Sequence, residues 1–336
     1  MYGKIKKSVV LAGIVGLSIV FLQGAGLAGT KDPDYPTKPI TFYLPAPAGG
    51  TTDTITRPLV EAVGKVLGQP CVVVNRPGGS YTLGAIPVMQ GKPDGYTLGV
   101  YLGTNLYLVP HMEDSPYKDI SAFTVINNFA KFMYLASVRG DAPYKTWKEL
   151  IEHERQKPKS IKVALPGARS MGAQGIAMWE IEQREGVNFT YVIFKGVNET
   201  LPALLGGHVS LEVSDMGPGR MQYIKEGKVR IAAFVGKEKA VGYEDIPSFY
   251  DLYGIDASSL IGIWGPKGLP NYILDKLERA FEVGIKDPNF LSMMKQAYTP
   301  LVYMNRAQVN KEISTLIPKY TEIIKKLRAE EEKMKK

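Results

Sequence analysis

From Pro39 onward, apolar residues fall in short runs separated by Gly-, Pro- and Asp-bearing turns, with stretches of helical spacing between them. Ile40-Thr41-Phe42-Tyr43-Leu44 reads as a strand that Pro45 ends, and Leu59, Val63, Val66 and Leu67 form one face of a helix stopped by Gly68. Cys71 to Val74 predicts a second, buried strand, Asn75-Arg76-Pro77-Gly78-Gly79 a turn, Leu83 to Met89 part of a helix and Tyr96 to Tyr101 a third strand. After Pro110 the pattern loosens. It resumes with Met133 to Val138 as a strand, Trp147 to Gln156 as a helix, Ile161 to Leu165 as a strand and Ala173 to Arg184 as a helix. Tyr191 to Phe194 is another strand, followed by a helix through Leu204 and Leu205 and by strands at Val209 to Val213 and Val229 to Val235. A strand from Ile261 precedes Pro266 and Pro270, and helices from Asn271 to Gly284 and from Arg306 to the charged end close the chain.

This repetition of strand, Gly-containing loop and helix predicts an α/β protein of two lobes. Residues 29–130 and 242–336 are expected to form a discontinuous first lobe and residues 131–241 the second. The chain would cross near Phe129 to Met133 and again near Gly236 to Val241.

The first 28 residues read as an address. Lys4, Lys6 and Lys7 precede a nearly apolar stretch from Ser8 to Leu22, and Gly26-Leu27-Ala28 supplies small residues for cleavage after Ala28. The apolar stretch is shorter than the roughly 20 residues that span a bilayer, which favours a cleaved signal peptide over an anchor. No cysteine follows closely enough to carry a lipid. Gly24-Ala25-Gly26-Leu27-Ala28-Gly29 matches G-x-G-x-x-G, but without a preceding strand it is not a dinucleotide site.

Composition narrows the function. The chain has 336 residues, 45% hydrophobic, with one cysteine, so it buries real cores and forms no internal disulfide or cysteine-based metal site. Its net charge is +8, of which the leader lysines carry three, and no nucleic-acid-binding signature accompanies the scattered remainder. A mild positive field suits a small anionic ligand. Catalysis finds no residue set: His111, His153 and His208 are far apart, His153-Glu154-Arg155-Gln156-Lys157 fails H-E-x-x-H, and G-x-S-x-G is missing. Cys71 sits in an apolar strand as a small hydrophobe.

The loop Pro47-Ala48-Gly49-Gly50-Thr51-Thr52-Asp53 is more informative. Its glycines allow a sharp turn that exposes successive N–H groups where the next helix adds the positive end of its dipole, a setting for a carboxylate or phosphate. By itself the loop fits a plain strand-to-helix turn at least as well. Asp53 is expected to cap the helix and face away from an anion, and Pro58 is expected to bias Arg57 away from helical angles.

Several segments together resemble one family: Tyr35-Pro36-Thr37-Lys38-Pro39-Ile40, the Pro47 to Asp53 loop, Asn75-Arg76-Pro77-Gly78, Pro93-Asp94-Gly95-Tyr96-Thr97, Leu204-Leu205-Gly206-Gly207-His208-Val209, and Ile224 to Arg230. In this order they resemble the TctC/Bug receptors, extracytoplasmic solute receptors of tripartite tricarboxylate transporters. The resemblance implies a type II periplasmic-binding-protein fold, two α/β lobes joined by hinge crossings that close on a small organic carboxylate. It implies delivery of that solute to membrane permease subunits, with no cofactor, no metal and no catalysis. An enzyme on the same two-lobe fold and a receptor that presents its solute to a sensor kinase are the alternatives. The ligand residues it implies are those of the first loop and, across the cleft, Gly167, Ala168, Arg169 and Ser170, with Asp215 completing the set. Where the family commonly has glycine this chain has Arg169, which either meets a ligand carboxylate bidentately or points to solvent or an acid such as Glu180 or Glu182. Ala173-Gln174 replaces a His-Leu pair, and Leu260-Ile261-Gly262 with Trp264 replaces Trp-Phe-Gly. These departures keep the ligand's identity from being carried over.

Overall fold

Alternation sets the first strand: Ile40, Phe42 and Leu44 are buried on one side of β1 (Ile40–Leu44), while Thr41 and Tyr43 are only partly covered. The computed structural model describes residues 34–111, 115–166, 172–240 and 242–335, all within one compact unit. Residues 1–33, with the expected signal peptide, lie outside the described residues, as do Gly167, Ala168, Arg169 and Ser170.

After β1 come α1 (Thr51–Leu67), β2 (Cys71–Asn75), α2 (Thr82–Met89), β3 (Thr97–Leu102), α3 (Gly103–Leu108) and the long β4 (Phe123–Phe132). The chain continues through β5 (Tyr134–Arg139), α4 (Trp147–Gln156), β6 (Lys162–Pro166), α5 (Ala173–Glu185), β7 (Thr190–Phe194), α6 (Val197–Leu205), β8 (Leu211–Asp215), α7 (Pro218–Lys225) and β9 (Val229–Phe234). It ends with α8 (Phe249–Tyr253), β10 (Ser259–Pro266), α9 (Asn271–Gly284), α10 (Pro288–Gln296), β11 (Leu301–Asn305) and α11 (Arg306–Lys335).

Two mixed sheets result. The first runs β11-β4-β10-β3-β1-β2 and the second β7-β6-β8-β5-β9. Parallel strands joined by helices make up one half of each sheet, β2-β1-β3 in the first and β7-β6-β8 in the second. In each sheet a late-returning or crossing strand then adds antiparallel, β10 beside β3 and β5 beside β8. Every residue of β10 is buried, as a strand paired on both sides and covered by helices should be. In contrast β2 is an edge strand with Val72 about half exposed, which corrects its reading as a buried strand. Cys71 on that edge is partly covered, and burial pushes its thiol up to about 11, so it is an unreactive thiol at neutral pH.

The chain passes from the first sheet to the second within one residue, Met133, between β4 and β5. The return was expected near Gly236 to Val241, with residues from 242 in the first lobe. Instead the chain after β9 stays with the second sheet: Phe249 packs on Trp147, and the Tyr253 hydroxyl accepts from Trp147 Nε1 at 2.9 Å and donates to Glu185 at 2.6 Å. The aromatic residues of α8 need this cover, so the return to the first sheet falls just before Ser259. Where the two crossings run side by side, Lys131 Nζ lies 2.9 Å from Glu238 and 3.3 Å from Asp256. A further link is α11, whose Lys319 meets Glu180 at 3.1 Å and whose Glu330 accepts from Trp179 Nε1 at 3.0 Å, both partners on α5.

The Asp256 carboxyl is held below its usual range: burial would raise it, but Ser258, Lys131 and the Lys237 N–H together outweigh burial. A depressed carboxyl contributes stability that is present above its unfolded pKa, about 3.9, and is lost as pH falls through the lower folded value. The melting temperature is therefore expected to change little through this group between pH 7 and 5 and to drop below about pH 4. Asp256→Asn should flatten that drop in a melting series over pH 7 to 3, and an unchanged acid slope would exclude the group as a contributor.

Candidate functional site

The loop after β1 turns because Gly49 sits at φ +76°, a left-handed conformation that a residue without Cβ adopts freely. Its N–H donates to Asp53 Oδ2 at 2.9 Å, and the Gly50 N–H donates to the Pro47 carbonyl at 3.2 Å. Asp53 is buried and receives three further contacts: Arg57 Nε at 3.1 Å, Arg57 Nη2 at 2.9 Å and Asn75 Nδ2 at 2.9 Å. Asn75 also donates to the Ala46 carbonyl at 3.0 Å, tying the end of β2 to the loop. Burial alone would raise the Asp53 carboxyl, yet Arg57, the Gly49 N–H and Asn75 hold it below the usual range.

Asp53 therefore fixes the loop, and its oxygens are occupied by Gly49, Arg57 and Asn75. It caps nothing in the first turn of its own helix, which starts at Gly50 without a side-chain cap. Arg57 remains helical despite Pro58, because α1 continues unbroken to Leu67 and holds Arg57 one turn beyond Asp53. The first helical N–H to find a carbonyl is that of Thr54, on Gly50. Among the described residues, the N–H groups of Ala48, Thr51, Thr52 and Asp53 have no acceptor. They are the positive end of a 17-residue helix at the loop beyond the carboxyl end of β1.

Across from this end stands Asp215, the last residue of β8. Thr51 Oγ1 donates to Asp215 Oδ2 at 3.0 Å, directly joining an element of the first sheet to one of the second. The other carboxylate oxygen, Oδ1, receives Arg220 Nη1 at 3.0 Å, and the same guanidinium also bonds the Asp215 carbonyl. Arg220 in turn grips Glu212 with Nε at 3.1 Å and Nη2 at 2.6 Å, while Ser137 and Thr200 donate to the remaining Glu212 lone pairs. All three charged side chains are buried, Glu212 completely. Among the described residues, two carboxylates stand against one guanidinium in this cluster, a surplus of one negative charge facing α1.

Around the Thr51 to Asp215 bridge, Phe132, Met133, Met216, Tyr298 and Thr299 close a crevice with no room for a water molecule. A Cβ on Gly217 would come within 3.2 Å of Asp215 Oδ2 and 3.3 Å of Thr51 Oγ1, so a side chain there would crowd the bridge. At Ala297 and Tyr298 the crevice borders an open groove of about 690 Å³ lined by Thr54, Met221, Gln222, Lys225, Met293 and Gln296.

Of the residues singled out from sequence, the structure brings together the first loop and Asp215. Pro47, Ala48 and Gly49 are exposed, Gly50 and Thr51 partly so, and Thr52, Asp53 and Asp215 buried. Gly167, Ala168, Arg169 and Ser170 lie outside the described residues. Sequence reading missed Glu212 and Arg220. Its available signal was an acid inside the apolar run Val209 to Val213, which a buried strand tolerates only with a cation nearby. Trp264 belongs to the core rather than the crevice, and among the described residues no group of acids, histidines and cysteine could hold a metal. His111 meets Thr321 at 3.3 Å and His153 packs on Tyr144, and neither lines the crevice.

Two mixed sheets with a crevice between them, entered from a Gly-bearing helix start on one side and a strand end on the other, define a solute-binding protein of the periplasmic type. The chain belongs to the TctC family, described as tripartite tricarboxylate transporter family receptors, whose model matches residues 55–329. It is similar to a protein of Cupriavidus necator encoded in the gbd 5′ region, 31% identical over 317 residues that cover 94% of this chain and 95% of the relative. It is also similar in structure to the periplasmic binding protein BugD, with 27% identity and a TM-score of 0.73 over 87% of this chain and 98% of that one. MatC of Rhodopseudomonas palustris, solved with bound malate, has the same fold: 23% identity and a TM-score of 0.71 over 86% of this chain and 100% of that one. The chain is thus a periplasmic solute receptor and not an enzyme.

Proposed function

We propose that this receptor captures a small organic carboxylate between two α/β lobes and hands it to the membrane permease of a tripartite tricarboxylate transporter, after removal of residues 1–28 as a signal peptide. The lobes in this reading meet at Met133 and just before Ser259. The observation that carries the proposal is the start of α1, where the N–H groups of Ala48, Thr51, Thr52 and Asp53 have no acceptor among the described residues. Such a cluster favours an anion. The ligand residues we assign are Pro47, Ala48, Gly49, Gly50, Thr51 and Thr52, with Asp53 holding their loop, Asp215 on the facing side, and Gly167, Ala168, Arg169 and Ser170. A thermal-shift screen over organic acids tests it: a carboxylate at about 100 times its Kd should stabilise the protein by about 2.7 kcal/mol. Stabilisation by no carboxylate in the screen would sink the proposal.

Because the Thr51 to Asp215 bridge fills the crevice, a solute has to part the two sides before it can enter. The free protein in solution is expected to sample a wider cleft that ligand closes by rotation at the two crossings. Small-angle scattering should show a smaller radius of gyration with saturating ligand, and an unchanged radius would argue against closure.

A further inference from the structure

Asp215 presents its charge to the place where, in the reading above, a ligand carboxylate sits. A bare carboxylate brought to the N–H groups of α1 would face that buried negative charge at the far side of a narrow crevice, which is unfavourable. The aspartate cannot swing aside, because Arg220 fixes its Oδ1 and its main-chain carbonyl. Arg220 is itself held by the two bonds to Glu212, in a cluster with no exposed charged side chain. Oδ2 is left as an acceptor aimed between the sheets, and in the structure it takes a donor, the Thr51 hydroxyl, at 3.0 Å. Tyr134, also buried, keeps its proton, since burial and the neighbouring Tyr81 and Asp215 push its hydroxyl well up. The crevice therefore pairs the start of α1 with a fixed anionic acceptor that the Thr51 hydroxyl reaches at 3.0 Å.

We propose that Asp215 makes this receptor selective for carboxylates bearing a hydroxyl or ammonium donor on the adjacent carbon, the carboxylate resting on the start of α1 and the donor replacing the Thr51 hydroxyl on Oδ2. This rests on the reading of the loop at Gly49 and Gly50 as the carboxylate site. A hydrogen bond to a charged, desolvated acceptor separates ligands that have the donor from those that lack it by about tenfold or more.

The test uses pairs that differ only in the donor: lactate and propionate, malate and succinate, 2-hydroxyglutarate and glutarate, with alanine, aspartate and glutamate as the ammonium counterparts. Calorimetric titration of the mature protein is expected to show, for whichever chain length binds, at least tenfold tighter binding of the hydroxy or amino member. In Asp215→Asn that ratio should shrink below about threefold. Should Asp215→Asn fail to fold, Thr51→Val reads the same contact from the other side: removing the internal donor should tighten the hydroxy or amino member relative to the plain acid. Equal binding of donor-bearing and plain acids by the unmodified protein, or an undiminished ratio in Asp215→Asn, overturns the proposal and leaves the carboxylate receptor standing. So does a loss of the preference in Thr51→Val. Failure of every acid in the panel to bind overturns both.

Discussion

Replacing Arg220 with methionine is expected to destabilise the protein by about 3–5 kcal/mol, because it strips the guanidinium that bonds both carboxylates of a buried cluster while leaving the carboxylates in place. The Arg220 side chain is 4% exposed, that of Glu212 0% and that of Asp215 9%, so water cannot take over the lost hydrogen bonds. Four bonds from one guanidinium disappear together, including the one to the Asp215 carbonyl at the end of β8. Urea unfolding at pH 7 checks this: the loss should be several kcal/mol. A loss under about 1 kcal/mol at pH 7 would mean that the cluster is not held as described. Changing Glu212 to Gln and Arg220 to Met together should recover part of the loss, since only one uncompensated carboxylate then remains.

The cluster also shows why the fold was more legible in the sequence than the site. Trp147–Gln156 and Asn271–Gly284 were readable to the residue because each has a continuous apolar face and a clear start, a threonine cap in one and Pro270 in the other. β4 was not, although it is the longest strand: Asn127 and Asn128 in its middle break the apolar run. Tertiary contacts overrode their weak strand preference, with Asn128 Nδ2 donating to the carbonyls of Ala130 and Val302 from a fully buried position. β11, the neighbour that supplies Val302, was missed with it, because a short edge strand with partly exposed residues carries little pattern of its own. The segment after β9 was placed in the wrong half because its apolar residues, Phe249 and Tyr253, show that they need cover but not whose. At the site, the loop at Gly49 and Gly50 was visible as a turn that opens a helix. The bridge from Thr51 to Asp215 spans 164 residues of chain and leaves no local trace. Arg57 differs: its pairing with Asp53 is local, one turn along α1, and was hidden by the expectation that Pro58 would disturb it.

Gly49→Val should weaken ligand binding by about 1–3 kcal/mol, roughly 5- to 150-fold, whereas the same change at Gly50 should cost less. The distinction lies in the backbone. Gly49 has φ +76°, where a β-branched residue is a genuine outlier, so strain arises there whatever the surrounding space. Gly50 is extended, with φ −71° and ψ 164°, and a Cβ there meets only the Pro47 carbonyl at 3.3 Å, a contact relieved by a shift of a few tenths of an ångström. Valine at 49 can relax only by turning its N–H away from Asp53, and that bond sets the path of the loop into α1. The N–H groups of Ala48, Thr51 and Thr52 would then no longer converge on one anion, and binding would have to restore the strained form at a cost equal to the strain. Asparagine tolerates the left-handed region, so Gly49→Asn should keep most of the affinity, which separates a conformational requirement from a steric one. The check is calorimetric titration of all three variants with the tightest acid from the screen, after circular dichroism has shown each to be folded. Wild-type affinity in Gly49→Val would reduce the loop to a turn without a binding role, and equal losses in Gly49→Val and Gly49→Asn would put the effect on side-chain bulk rather than on the left-handed backbone.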